Sequence, residues 1–182
     1  MPLFQSPPPE TIPTQSIVEV VRQNAKKNPE AAAIVCGTRC LSWGDFDEQQ
    51  NRVANLVLSA GCEKGDNIAI LSPNSEVYAT LFMGGLRAGA CVTPLSSMAS
   101  PDALQKMLGD CGAKMIFVAE QYLNLVEGFL GGMDIARYSI DFDHAEFKPL
   151  VPALAQSSNI DPLIPIDLED AFNLIYSSGT TG

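Results

Sequence analysis

The sequence contains a single histidine, His144, and its five cysteines include no C-x-x-C pair. A protein-held zinc needs several nitrogen or sulfur ligands at short spacings, so no metal site is expected from protein ligands alone. Cys36, Cys40, Cys62, Cys91 and Cys111 read instead as reduced and mostly buried packing residues. Basic residues are scarce: 11 Lys and Arg stand against 21 Asp and Glu, giving a formal charge of −10 and a pI near 4.4. No stretch gathers cations into a track for a phosphate backbone, which argues against a nucleic-acid partner. Long apolar runs are missing as well. The longest, Val77 to Val92, is broken by Thr80 and Arg87 and falls short of the roughly 20 apolar residues that a bilayer demands. The opening MPLFQSPPPETIP has neither the basic and apolar regions of a secretory signal nor the arginines of a transit peptide, so the expected location is cytoplasmic.

What is present suffices for a folded core: 46% of the 182 residues are hydrophobic and 18% are charged. Residues 1–13 hold five of the 13 prolines and little periodic apolar content. Residues 1–15 are therefore expected to form an extended arm, with the folded part running over 16–182.

Ser16 followed by Glu19 makes a capping box for an amphipathic helix with Ile17, Val20, Val21 and Ala25 on one face, ended by Asn28 and Pro29. Ala32–Cys36 and Arg39–Leu41 flank Gly37 and Thr38 as a tight hairpin. Ser42 caps a second helix to about Ala60, which Gly61 stops. Apolar strands then alternate with helices: strand 67–71, helix 75–88, strand 91–93, helix 100–110, strand 115–118, helix 121–130 and strand 137–140. This alternation predicts an α/β fold, a three-layer αβα arrangement around a mostly parallel sheet. Residues 141–167 read as a surface excursion with one helix at 150–156, and Phe172 to Tyr176 as a last apolar strand.

That strand runs into Ser177, Ser178, Gly179, Thr180, Thr181 and Gly182. Glycines allow positive φ angles that turn successive backbone N–H groups inward, and hydroxyls can donate to phosphate oxygens or ligate Mg²⁺. By composition alone, the same residues read equally well as a serine-rich turn. The nucleotide-triphosphatase P-loop does not fit, because no Lys follows the glycines at the required spacing.

The string YSSGTTG, Tyr176 to Gly182, resembles the signature loop of the adenylate-forming superfamily, which includes acyl-CoA synthetases, aryl-CoA ligases, luciferases and peptide-synthetase adenylation domains. LSWGDF at Leu41 to Phe46, GDNIAILSPNS at Gly65 to Ser75 and LRAGACVTPL at Leu86 to Leu95 agree with that family in order and spacing. The resemblance implies an amino-terminal portion of an enzyme that joins a carboxylic acid to ATP, releases pyrophosphate and passes the acyl group from its adenylate to coenzyme A. It also implies that residues 177–182 contact ATP phosphates, Thr180 and Thr181 foremost, with ATP, Mg²⁺ and coenzyme A as the intact enzyme's cofactors and co-substrates. The family pattern continues beyond Gly182 with Pro, Lys and Gly. The resemblance therefore places no catalytic residue within this chain, and the expectation is that it is inactive by itself. Ser96 follows Pro94-Leu95 where peptide-synthetase domains usually carry an acid, which favours the fatty or aryl acyl-CoA synthetases.

Other residues invite structural readings. Trp43 packs at a helix start on the hairpin, Asn74 caps the helix after it, and Gly84, Gly85 and Gly89 permit close helix-to-sheet approach and a helix stop. Arg87 complements a helix dipole, His144 is a solvated surface residue, and Asp161, Asp167, Glu169 and Asp170 form a hydrated acidic surface. Two rival functions stay open: a peptide-synthetase-type adenylation fragment, and a non-catalytic α/β domain that binds a partner or self-associates into a homo-oligomer through exposed apolar surface.

Overall fold

Each long helix begins where a serine side chain can satisfy backbone donors that lack an intrahelical partner. In the computed structural model, which describes residues 14–177, Ser16 Oγ accepts from the Glu19 N–H at the head of α1 (Ile17–Lys27). Ser42 does the same for α2 (Trp43–Ser59), Ser75 for α3 (Glu76–Arg87) and Ser100 for α4 (Pro101–Cys111). The cap of α3 is thus Ser75 and not Asn74, which is exposed in the preceding turn. The arm expected over residues 1–15 falls mostly outside the described residues.

A two-stranded antiparallel hairpin, β1 (Ala32–Cys36) and β2 (Arg39–Ser42), turns at Gly37 with φ +60° and joins α1 to α2. The main sheet follows: β3 (Asn67–Leu71), β4 (Cys91–Pro94), β5 (Met115–Val118), β6 (Ala136–Ser139) and β7 (Lys148–Pro149), all parallel, in the order β4-β3-β5-β6-β7. Alternation along the strands buries both faces. Ile68 and Ile70, with Met115 and Phe117, point into one layer with Val53, Val57 and Leu81, whereas Ala69, Leu71, Ile116 and Val118 point into the other with Leu104, Leu108 and Leu130. The αβα layering expected from the sequence is the one observed: α1, α2, α3 and α6 (Leu150–Gln156) lie on one side, and α4 and α5 (Glu127–Leu130) on the other.

Close approach is built into α3. A Cβ on Gly85 would lie 2.5 Å from Ile68 Cδ1 in the sheet, and one on Gly84 would lie 2.6 Å from Val53 Cγ1 on α2. The pair therefore serves helix-to-sheet and helix-to-helix contact in turn.

Two local expectations change. The helix read over 121–130 is a 3₁₀ segment, Glu120–Leu125, followed by the single α turn of α5, with no side-chain cap at either start. The excursion after β6 contributes β7, a two-residue strand, one of them a proline, that extends the sheet by pairing with β6.

Candidate functional site

The candidate loop begins where residues 172–177 leave the sheet. The Val92 N–H donates to the Phe172 carbonyl at 3.3 Å, and the Leu174 N–H donates to the Val92 carbonyl at 3.0 Å, which sets Asn173 in a parallel bridge beside β4. The segment is not the strand expected over Phe172 to Tyr176: beyond that one bridge it makes no ladder. The side chains give the reason. Phe172 meets Phe82 of α3 edge-on at 5.5 Å in one layer, whereas Tyr176 packs against the α4 layer on the other face. In an extended strand, residues four apart face the same way, so the chain must rotate as it passes the edge of β4. It runs in the direction of the parallel strands and delivers Ser177, which is exposed, toward their carboxyl ends. Open α/β sheets hold their ligands at that end. Of the predicted phosphate-binding residues, Ser177 alone is described; Ser178, Gly179, Thr180, Thr181 and Gly182 lie outside the described residues.

Polar straps hold the approach to this point. Three neighbouring residues of α2 grip the chain that follows α6: Asn51 Nδ2 donates to the Asn159 carbonyl at 3.0 Å, Arg52 Nη1 to the Ser157 carbonyl at 2.9 Å, and Asn55 Nδ2 to the carbonyls of Ser158 and Ile160 at 2.9 and 2.8 Å. Arg22 of α1 then clasps Asp161 with two hydrogen bonds of 2.6 and 2.9 Å. Burial alone would raise the Asp161 pKa, but the Arg22 bonds and the Leu163 N–H outweigh it and leave the carboxyl below its ordinary value. Lys64 binds Asp170 at 2.7 Å and Asp167 at 3.4 Å just before the edge of β4. The acidic group read as a hydrated surface is therefore partly a row of anchors, with Asp161, Asp167 and Asp170 each paired to a cation.

Arg87 departs further from its expected dipole role. It is fully buried, and its guanidinium reaches Asp47 Oδ1 at 2.6 Å, the Asp47 carbonyl at 3.2 Å and Asn51 Oδ1, so it ties α3 to α2 and steadies the asparagine that straps the later chain. Its Nε has no partner among the described residues, and neither polar side-chain atom of buried Gln50 on α2 has one. All five arginines stand in ion pairs with carboxylates: Arg22, Arg39, Arg52, Arg87 and Arg137. His144 is half-buried at the surface, with its ring edge-on to Phe142 and Phe147 and its Nδ1 accepting from the Glu146 N–H at 3.2 Å. Trp43 stands at the helix start as expected, and its ring meets Phe46 of the same helix at 6.3 Å. Cys62, Cys91 and Cys111 are buried free thiols, while Cys40 is exposed and Cys36 half-buried. Among the described residues no group of three side chains is placed to hold a metal ion, and no helix is long and apolar enough to cross a membrane.

The profile of a family described as AMP-binding enzyme matches residues 21–182. A feruloyl-CoA synthase from an Amycolatopsis species is 29% identical over 161 residues, covering 88% of this chain and 30% of that protein. 4-Coumarate–CoA ligase 5 of Oryza sativa subsp. japonica is 34% identical over 143 residues, 78% of this chain and 26% of that one. Among solved structures, the anthranilate CoA ligase AuaEII in complex with anthranoyl-AMP superposes with a TM-score of 0.85 over 95% of this chain and 33% of its own, at 21% identity. This chain thus spans between about a quarter and a third of the length of these three relatives.

Proposed function

Since the chain belongs to the AMP-binding enzyme family, we propose that it is the amino-terminal part of an ATP-dependent acyl-CoA synthetase, with residues 177–182 forming its ATP phosphate-binding loop. The observation that carries this reading is the course of residues 172–177, parallel to β4 and ending at the carboxyl edge of the sheet. Ser177, Ser178, Thr180 and Thr181 would offer hydroxyls, and Gly179 and Gly182 backbone N–H groups, to the phosphate oxygens and the Mg²⁺ they carry. ATP supplies the leaving pyrophosphate when bound. The chain's own contribution is to hold the phosphates in place for attack by a carboxylate on the α-phosphate, an effect of positioning and charge neutralisation. Coenzyme A is the proposed acyl acceptor. The carboxylic acid falls in the fatty or aryl class, in line with Ser96 after Pro94-Leu95 and with the names of the aryl-acid relatives.

By itself the 182-residue chain would not carry out adenylation. It covers between about a quarter and a third of these relatives, and each of its arginines is already engaged by a carboxylate. ATP–pyrophosphate exchange with a panel of fatty and aryl acids tests both statements. Exchange by the 182-residue chain would overturn its inactivity. In the protein expressed from its complete reading frame, Thr181→Val should lower exchange by roughly 10- to 1,000-fold, as loss of a positioned donor does elsewhere. Undiminished exchange would remove the phosphate-loop assignment.

A second reading, self-association, is favoured by one observation: Leu163, Leu168, Phe172, Leu174 and Ile175 are exposed together along the segment that flanks β4. Light scattering across a concentration series should then give a mass above one chain, and a constant single-chain mass would dismiss it.

A further inference from the structure

The last described side chain before the candidate loop is fixed in an unusual way. Tyr176 inserts its ring into the layer formed by α4, and its hydroxyl lies 2.6 Å from Asp110 Oδ2 and 3.1 Å from the Met107 carbonyl, both on the last turn and a half of that helix. Sixty-six residues separate Tyr176 from Asp110. The other end of the segment is held by the two backbone hydrogen bonds to Val92, and between these fixings the chain rotates from one layer of the fold to the other. Ser177 follows at once. The direction in which the chain continues is set by the last residue that the fold holds. Here that residue is held by a ring, an acceptor carboxylate and an acceptor carbonyl, and not by sheet pairing.

We propose that Tyr176 is a positioning residue for the phosphate-binding loop, and that Asp110, exposed at the end of α4, is its anchor. The assignment rests on the proposed role of residues 177–182. A phenol hydroxyl has one proton to give, and a carboxylate at 2.6 Å is its stronger acceptor, so the Tyr176–Asp110 bond sets the ring's rotation and with it the exit angle of the backbone. Burial, and then the Asp110 bond, also push the Tyr176 phenol well above its ordinary value, which keeps it protonated and donating throughout the physiological range.

The test uses the protein expressed from its complete reading frame. In ATP–pyrophosphate exchange, Tyr176→Phe and Asp110→Ala should each raise KM for ATP by about 3- to 10-fold with KM for the acid unchanged. Asp110→Asn, which keeps an acceptor oxygen, should restore most of the affinity. The double variant should be no worse than either single one, because both remove the same bond. Independently of turnover, the difference absorbance titration between the parent protein and Tyr176→Phe reports the Tyr176 phenol, and Asp110→Ala should shift that transition to lower pH. If the parent exchanges pyrophosphate normally but both single variants keep KM for ATP within about twofold of it, the positioning role falls and the phosphate-loop reading stands. If the parent shows no exchange with any acid tried, the phosphate-loop reading falls and takes this assignment with it. Asp110 is exposed, so its variants remain informative even if Tyr176→Phe fails to fold.

Discussion

Removing the carboxylate of Asp47 should destabilise the fold more than removing the arginine it serves. Arg87 is fully buried, and Asp47, whose side chain is 27% exposed, is its only ion-pair partner among the described residues, at 2.6 Å. Asp47→Ala leaves a guanidinium in the interior between α2 and α3 with only the Asn51 amide oxygen and a carbonyl to answer it. Breaking a buried pair in this way costs about 3–5 kcal/mol, and the partial exposure of Asp47 argues for the lower end, about 3 kcal/mol. For a domain of this size that is a loss of roughly 6–12 °C in Tm. Arg87→Met is a milder change. It fills much of the same volume, removes a buried Nε that has no partner, and frees Asp47 to turn toward water, so its cost should stay below about 1.5 kcal/mol. The double variant should then recover about 1–2 kcal/mol relative to Asp47→Ala alone. Urea unfolding followed by far-ultraviolet circular dichroism, with the m-value checked for constancy, measures all three. The reasoning is refuted if Asp47→Ala costs less than 1 kcal/mol, or if Arg87→Met proves the more damaging of the pair.

Gly84→Ala should destabilise by about 1–3 kcal/mol in the same assay, although alanine is the better helix former, because the new Cβ would overlap Val53 on the facing helix; a gain in stability would show that α2 and α3 can separate freely. The pH dependence follows from Asp161, whose carboxyl is held below its ordinary value of 3.8 in the folded state. A depressed carboxylate pKa contributes stability that is present above the unfolded value and is lost as pH falls through the folded one. Asp161→Asn should therefore be less stable than the parent at pH 7, with the gap in urea midpoints closing as pH drops below 3.8; a gap that is constant with pH would mean that Arg22 does not hold this carboxylate in solution.

Much of the local architecture was legible before any coordinates. The serines at 16, 42 and 100 declare their helices because a hydroxyl one residue ahead of an apolar-periodic stretch has a local partner to satisfy. The strands at 67–71, 91–94 and 115–118 are apolar on both faces, as parallel strands covered by helices must be. The candidate loop was legible too, as a string of hydroxyls and glycines after an apolar run. Errors gathered where a neighbour distant in sequence decides the outcome. Phe172 to Tyr176 has the composition of a strand, yet its aromatic ends belong to opposite layers, so only one residue of it can pair. Arg87 carries the mark of a helix C-terminus, and nothing near it in sequence announces that Asp47, 40 residues earlier, waits on the facing helix.

Up to Val118 the sequence by itself determined which segments are helix and which are strand, and that the strands of the main sheet run parallel, because caps, glycine stops and apolar alternation act within a few residues of one another. Tertiary structure alone decided how the chain reaches the candidate site: through carbonyls held by Asn51, Arg52 and Asn55, through Arg22 on Asp161 across 139 residues of separation, and through Tyr176 on Asp110. Those are polar contacts between segments far apart in sequence, and a side chain that can bond to any of many acceptors does not reveal in sequence which one the packing will place beside it.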